Sequence, residues 1–171
     1  MNTERLTLRP FTPDDADELV RLHNDPEVMR FLNGGKPVSR ETIVRETLPA
    51  FMTTGFLAAH ERASGAFTGW FHLRPGGEGE GEYELGYRLH RAFWGRGYAT
   101  EGSLRLIRHA FEDLGARRVY AQTMAVNKGS RRVMEKCGLR HVRTFWEDWE
   151  DPLPGSEEGE VEYELLREEW R

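Results

Sequence analysis

Trp94-Gly95-Arg96-Gly97-Tyr98-Ala99-Thr100-Glu101 lies between two patterns of different period. Before it, Tyr83 to Leu89 alternates in the manner of a strand. After it, Leu104, Ile107, Phe111 and Leu114 recur at helical spacing. A glycine-rich turn between strand and helix aims unpaired backbone N–H groups into one space, at the positive end of the helix dipole. Such a nest binds phosphate, and glycine lets the ligand approach because no Cβ intervenes. The same short pattern also occurs in plain strand-to-helix connections, so the surrounding chain must decide between the two readings.

Outward from this turn the elements alternate irregularly. Arg5 to Arg9 reads as a first strand, and Thr12-Pro13-Asp14-Asp15 as a helix start with a cap, a proline and first-turn acids. Leu19, Val20, Leu22 and His23 form the inner face of that helix, which Asp25-Pro26 ends. Ser39 caps a second helix running to about Phe51. Phe56 to Glu61 and Ala66 to Leu73 read as strands joined by Ala63-Ser64-Gly65, and Arg74 to Gly81 as a loop. Thr100 to Leu114 is a helix closed by Gly115, and Arg118 to Met124 a strand. Asn127 caps a helix through Lys136, and terminal strands lie near His141 to Trp149 and Glu160 to Leu166. The expected architecture is α/β: one mixed, mostly antiparallel sheet of about seven strands flanked by about four helices. GxGxxG and GK[ST] are both absent, which excludes the dinucleotide fold and the P-loop.

At 171 residues the chain is expected to be a single domain, 1–171, long enough to bury a core without staples. No apolar run approaches the ~18 residues of a membrane span. The N-terminal residues show no signal core, so a cytoplasmic location without membrane partner is expected. The single cysteine, Cys137, excludes an internal disulfide, and no metal site is expected. Charge is unevenly spread. Residues 88–143 hold 13 Lys/Arg against 4 Asp/Glu, and residues 144–171 hold 2 against 11. The basic middle favours a polyanionic ligand and the acidic end a cationic one. The acidic end would repel nucleic acid, which is not an expected partner.

Arg5 to Pro10, Gly86-Tyr87, Trp94 to Glu101, and Asn127-Lys128-Gly129-Ser130 through Glu135-Lys136-Cys137-Gly138-Leu139 occur in one order. Together they resemble the GNAT N-acetyltransferase superfamily, and within it the ribosomal-protein N-terminal (alanine/serine) acetyltransferases. The resemblance spans nearly the whole chain. It implies transfer of an acetyl group from acetyl-CoA to a primary amine, without a covalent enzyme intermediate. It places the CoA pyrophosphate on Gly95, Arg96, Gly97, Tyr98, Ala99 and Thr100. Trp94 stands where the family usually has Gln or Arg, a variant typical of the branch. The backbone of Tyr87, Arg88 and Leu89 would pair with the pantetheine arm. Asn127 would reach the pantetheine amides, or serve only as a helix cap, or both. Arg96, Arg131 and Arg132 are candidates for the adenosine phosphates.

Direct transfer requires an acceptor of the amine proton, polarisation of the thioester oxygen and stabilisation of the leaving thiolate. The family's thiolate-protonating tyrosine is replaced here by Met134, and Ser130 is the branch-like substitute. Glu84 is the first candidate base. It shares a strand face with Glu82, and a carboxylate buried there would bind its proton more tightly. Glu147, Asp148 and Glu150 are rivals that could instead bind a cationic substrate together with Trp149; His72 is a further candidate. Trp70, Phe71, Phe145 and Trp146 are either acceptor wall or core. Cys137 lacks an evident base and reads as core. The expected acceptor is a protein N-terminal amine, or a small cationic amine such as a polyamine, an amino sugar or an amino acid. The loss at Met134 also leaves open a non-catalytic acyl-CoA-binding module. The terminal strands offer an edge for a homodimer.

Overall fold

A computed structural model describes residues 1–171. Its seven strands are β1 (Leu6–Pro10), β2 (Phe56–Glu61), β3 (Phe67–Pro75), β4 (Glu82–Leu89), β5 (Arg118–Met124), β6 (Arg140–Phe145) and β7 (Glu160–Leu166). They form one sheet in the order β1-β2-β3-β4-β5-β7-β6. Every neighbouring pair is antiparallel except β4 and β5. Five helices cover it: α1 (Ala16–His23), α2 (Arg30–Asn33), α3, α4 (Tyr98–Glu112) and α5 (Lys128–Lys136). The run α3 comprises Arg40–Thr42, a π-helical turn at Ile43–Thr47, and Leu48–Phe51.

The alternation of β4 sorts the two faces. Leu85 and Leu89 turn toward α4 and α5, into a cluster holding Phe71, Leu106, Ile107, Phe111, Val119 and Val161. On the opposite face a smaller cluster of Leu19, Leu22, Ile43, Leu48, Phe56 and Trp70 packs under α1 and α3. Each such side chain contributes about 1.5–3 kcal/mol by leaving water. The helix α4 crosses β3 closely because residue 102 is glycine: a Cβ there would sit 2.3 Å from the Phe71 ring.

Several boundaries differ from the sequence reading. The helix α4 starts at Tyr98 rather than Thr100, because Gly97 takes the left-handed conformation (φ 84°) and acts as its cap. The single turn α2, closed by left-handed Gly34, falls in a stretch to which the sequence reading assigned no element. The strand β6 stops at Phe145 rather than near Trp149. It is the sheet's edge, with a register shift between His141 and Arg143 and exposed side chains along most of its length.

One irregularity positions everything that follows. The parallel pair β4–β5 is in register only for Glu82–Glu84 against Arg118–Tyr120. Beyond those residues β4 remains paired with β3, and β5 with β7. The two strands therefore part into a wedge bounded by Leu85–Leu89 and Ala121–Met124.

Candidate active site

The glycine turn lies past the end of β4. Trp94 Nε1 donates to the Leu89 carbonyl at 2.8 Å, which fixes the chain's exit from the strand. Gly95 (φ 69°) and Gly97 (φ 84°) are both left-handed, so the turn needs residues without a Cβ penalty. Arg5, one residue before β1, clamps the far side: Nη1 donates to the Arg96 carbonyl at 2.8 Å and Nε to Glu101 at 2.8 Å. Burial would raise the Glu101 carboxyl, but the Thr3 hydroxyl, the Arg5 guanidinium and the Arg5 backbone N–H hold it below its ordinary value. The first intrahelical donor is the N–H of Glu101, bonded to the Gly97 carbonyl. The N–H groups of Gly95 through Thr100 bond to nothing within the protein. A Cβ on Gly95 would meet no atom within 4 Å, so the turn is open at that residue. This arrangement fits a diphosphate.

Across the wedge, the Tyr87 hydroxyl of β4 donates to Ser130 Oγ in the first turn of α5 at 3.1 Å. Burial pushes the Tyr87 phenol up to about 12, so it keeps its proton. Ser130 Oγ accepts this bond, and its own O–H is left to donate. Asn127 Oδ1 accepts from the Ser130 N–H at 3.2 Å and its Nδ2 donates to Thr123 Oγ1 at 3.1 Å. The helix-cap role of Asn127 is thus realised. Met134 is 4% exposed and belongs to the core. Cys137 is buried too, and burial pushes its thiol up to about 12, away from any nucleophilic form.

The other candidates divide between two places. Arg96 stacks on Phe93 and Tyr98 beside the turn and bonds to Glu61 at 3.0 Å. Arg132 is exposed and 3.9 Å from Glu135. Arg131 is instead engaged by the Tyr163 hydroxyl at 3.1 Å and the Ala125 carbonyl at 3.0 Å. Glu147, Asp148 and Trp149 lie in the exposed loop after β6, not on a strand. That loop is seated by a Lys36–Asp151 ion pair and by Gly155 against Val126, next to Asn127.

On the sheet face opposite α4, Glu84 accepts from Arg74 Nε at 2.7 Å and is 22% exposed. Burial raises the Glu160 carboxyl, with Glu147 adding to the effect. Glu160 pairs in register with Met124, at the wide end of the wedge. Sequence reasoning missed Glu160, whose position is flanked by Met124 of β5 and Phe145 of β6, two strands distant in the chain. Glu162 and Glu164 take up Arg118, Arg140 and Arg143. The charge segregation along the sequence is thus partly matched within the sheet.

Trp70, His72, His23 and Arg88 form an adjoining cluster. His23 Nε2 accepts from Trp70 Nε1 at 3.1 Å and from Arg88 Nη1 at 3.0 Å, which places its proton on Nδ1. Neither His72 nitrogen has a hydrogen-bond partner, and Nε2 lies 3.9 Å from the Glu84 carboxylate. Burial, aided by nearby arginines, pulls both imidazoles down to about 3. Both are neutral when folded, whereas unfolding exposes groups titrating near 6.5. The unfolded state then binds more protons between pH 3 and 6.5, so stability rises with pH across that window. Acidification from pH 7 to 5 is expected to cost about 2 kcal/mol per histidine in urea unfolding. The His72→Leu variant should show a shallower loss, and an unchanged slope would contradict the assignment.

The chain matches the family described as the acetyltransferase (GNAT) domain over residues 5–140. It is 38% identical to the FsC-acetyl coenzyme A-N(2)-transacetylase of Aspergillus fumigatus, over 99% of this chain and 77% of that protein. A Bacillus subtilis protein provisionally named ribosomal N-acetyltransferase YdaF is 29% identical, over 98% of this chain and 94% of its own. The solved structure of a GNAT-family acetyltransferase from Bacillus anthracis superimposes with a TM-score of 0.83 at 25% identity, covering 98% of each chain.

Proposed function

The chain belongs to the GNAT family of N-acetyltransferases, and from that premise we propose that it transfers acetyl from acetyl-CoA directly to a primary amine at the β4–β5 wedge. The observation that carries this reading is the parting of the two strands beyond Glu84 and Tyr120, with free helix-terminal N–H groups at one end and Tyr87–Ser130 across it. Bound acetyl-CoA supplies an activated thioester.

The residues supply the rest. Gly95 to Thr100 hold the pyrophosphate through backbone N–H groups, with Arg96 and Arg132 placed for further phosphate contacts. The β4 edge at Tyr87 to Leu89 pairs with the pantetheine amides as an added strand does. Ser130, its oxygen already accepting from Tyr87, directs its O–H to the departing sulfur. Glu160 takes the amine proton through water, a role suited to a carboxyl that burial raises; Glu84 is the alternative. Glu147, Asp148 and Trp149 border the acceptor, which is a protein N-terminus or a small molecule bearing an amine.

Direct transfer has a sharp test. The Cys137→Ala variant should retain turnover, and protein mixed with acetyl-CoA alone should gain no acetyl mass. Initial rates with both substrates varied should give intersecting lines. Parallel lines with an acetylated protein would replace direct transfer by a two-step path.

A further inference from the structure

The side chain of Arg88 is not used by the chemistry above. By the period of two it leaves β4 on the Glu84 face, away from α4 and α5. It lies on the stretch of β4 that has lost its β5 partner, beside the space an acceptor must enter. Its guanidinium lies over the Trp70 ring, 4.9 Å from the centroid. Nη1 donates to His23 Nε2. Nε is sealed from solvent with no partner. Nη2 makes no hydrogen bond and is not sealed. The surrounding His23, Trp70 and His72 are all buried.

No carboxylate forms an ion pair with Arg88. Arg74, Arg118, Arg140 and Arg143 along the same sheet each have one. Burial alone pulls the Arg88 guanidinium down to about 10, so it is still charged at neutral pH. Desolvating a cation without a counter-ion costs several kcal/mol. Neutral histidines do not offset it. A single recessed cation with one open N–H group matches a monoanion, whereas a dianion would call for more than one positive charge. Trp70 supplies an apolar floor under the charged plane.

We propose that Arg88 is the carboxylate-binding residue of the acceptor site, and that the preferred acceptors are amines carrying a free carboxyl group, of the amino-acid class. This rests on the wedge being the site of acetyl transfer. The amine would face the wedge and the carboxylate would meet Arg88 Nη2.

The test uses glycine, alanine, methionine and phenylalanine, each as free acid and as primary amide, with CoA release as the readout. Calorimetric binding of the corresponding N-acetyl acids and N-acetyl amides to the CoA-loaded protein supplies a second readout. The acids should be preferred by about 10- to 100-fold, the worth of one hydrogen bond to a charged group. In Arg88→Met, which keeps an apolar stem over Trp70, the preference should vanish while acetyl-CoA still binds. Arg88→Lys should keep part of it, and decides the matter if the methionine variant does not fold. Equal use of acids and amides, an undiminished preference in Arg88→Met, or binding of neither N-acetyl form would overturn the proposal. Loss of acetyl-CoA binding by the unaltered protein would instead overturn the transferase reading on which it rests.

Discussion

Replacing Gly97 by valine is expected to weaken acetyl-CoA binding by about a hundredfold in calorimetry, with the fold retained. Two effects combine. The left-handed backbone at φ 84° is one that a β-branched residue resists, at about 1–2 kcal/mol or more. Relief of that strain turns the peptide and disperses the N–H groups of residues 95 to 100, each of which is worth about 1.5–3 kcal/mol when bonded to a charged group. A hundredfold loss corresponds to about 2.7 kcal/mol, which one misdirected N–H group suffices to explain. The new Cβ itself would approach only Arg5 Nη2, at 3.2 Å, so the contact falls on the surface clamp and the core is not disturbed. Circular dichroism should therefore be unchanged apart from a lower thermal midpoint. A folded variant that binds acetyl-CoA as tightly as the parent would remove the phosphate role of this turn.

The second large effect concerns Ser130. Ser130→Ala should lower kcat by about a hundredfold, the lower end of what a positioned proton donor supplies. Affinity for acetyl-CoA should hold, because the Asn127 cap uses the backbone N–H of residue 130 and alanine keeps it. Tyr87→Phe should reduce kcat less, about tenfold, since it removes one hydrogen bond from the serine oxygen and no group that meets the sulfur. With the phenol pushed up to about 12, Tyr87 should contribute no alkaline limb to the kcat profile below that range. If Ser130→Ala turns over normally with a chemistry-limited rate, the serine is only a first-turn helix residue.

Local patterns carried much of the architecture. The alternation of Glu160 to Leu166 and of Arg118 to Met124, the Asn127 cap and the left-handed Gly115 are decided by near neighbours, and each stands where the sequence reading put it. The GNAT-like order of motifs likewise marks the glycine turn in the sequence. Events between distant segments were not legible. Nothing in Tyr83 to Leu89 announces that pairing with β5 ends at Glu84, because divergence is a property of two strands. Glu84 was named from its strand face, whereas the surroundings of Glu160 are set by Met124 of β5 and Phe145 of β6, which lie far from it in the chain. The acidic end looked like a lure for cations, yet Glu162, Glu164 and Glu169 are occupied by Arg118, Arg140 and Arg143. Arg88 was partly readable. Period two sets it on the Glu84 face, but only the fold shows that no acid waits there.

The clamp between Arg5 and Glu101 joins positions 96 residues apart in the chain. Closing so long a loop is entropically slow and must precede any reward from the contact. The turn proposed to receive the cofactor thus acquires its rigid floor only when the opening strand docks on the far edge of the sheet. On that proposal, competence to hold the nucleotide is expected late in folding, and affinity for it would report that the first strand has arrived.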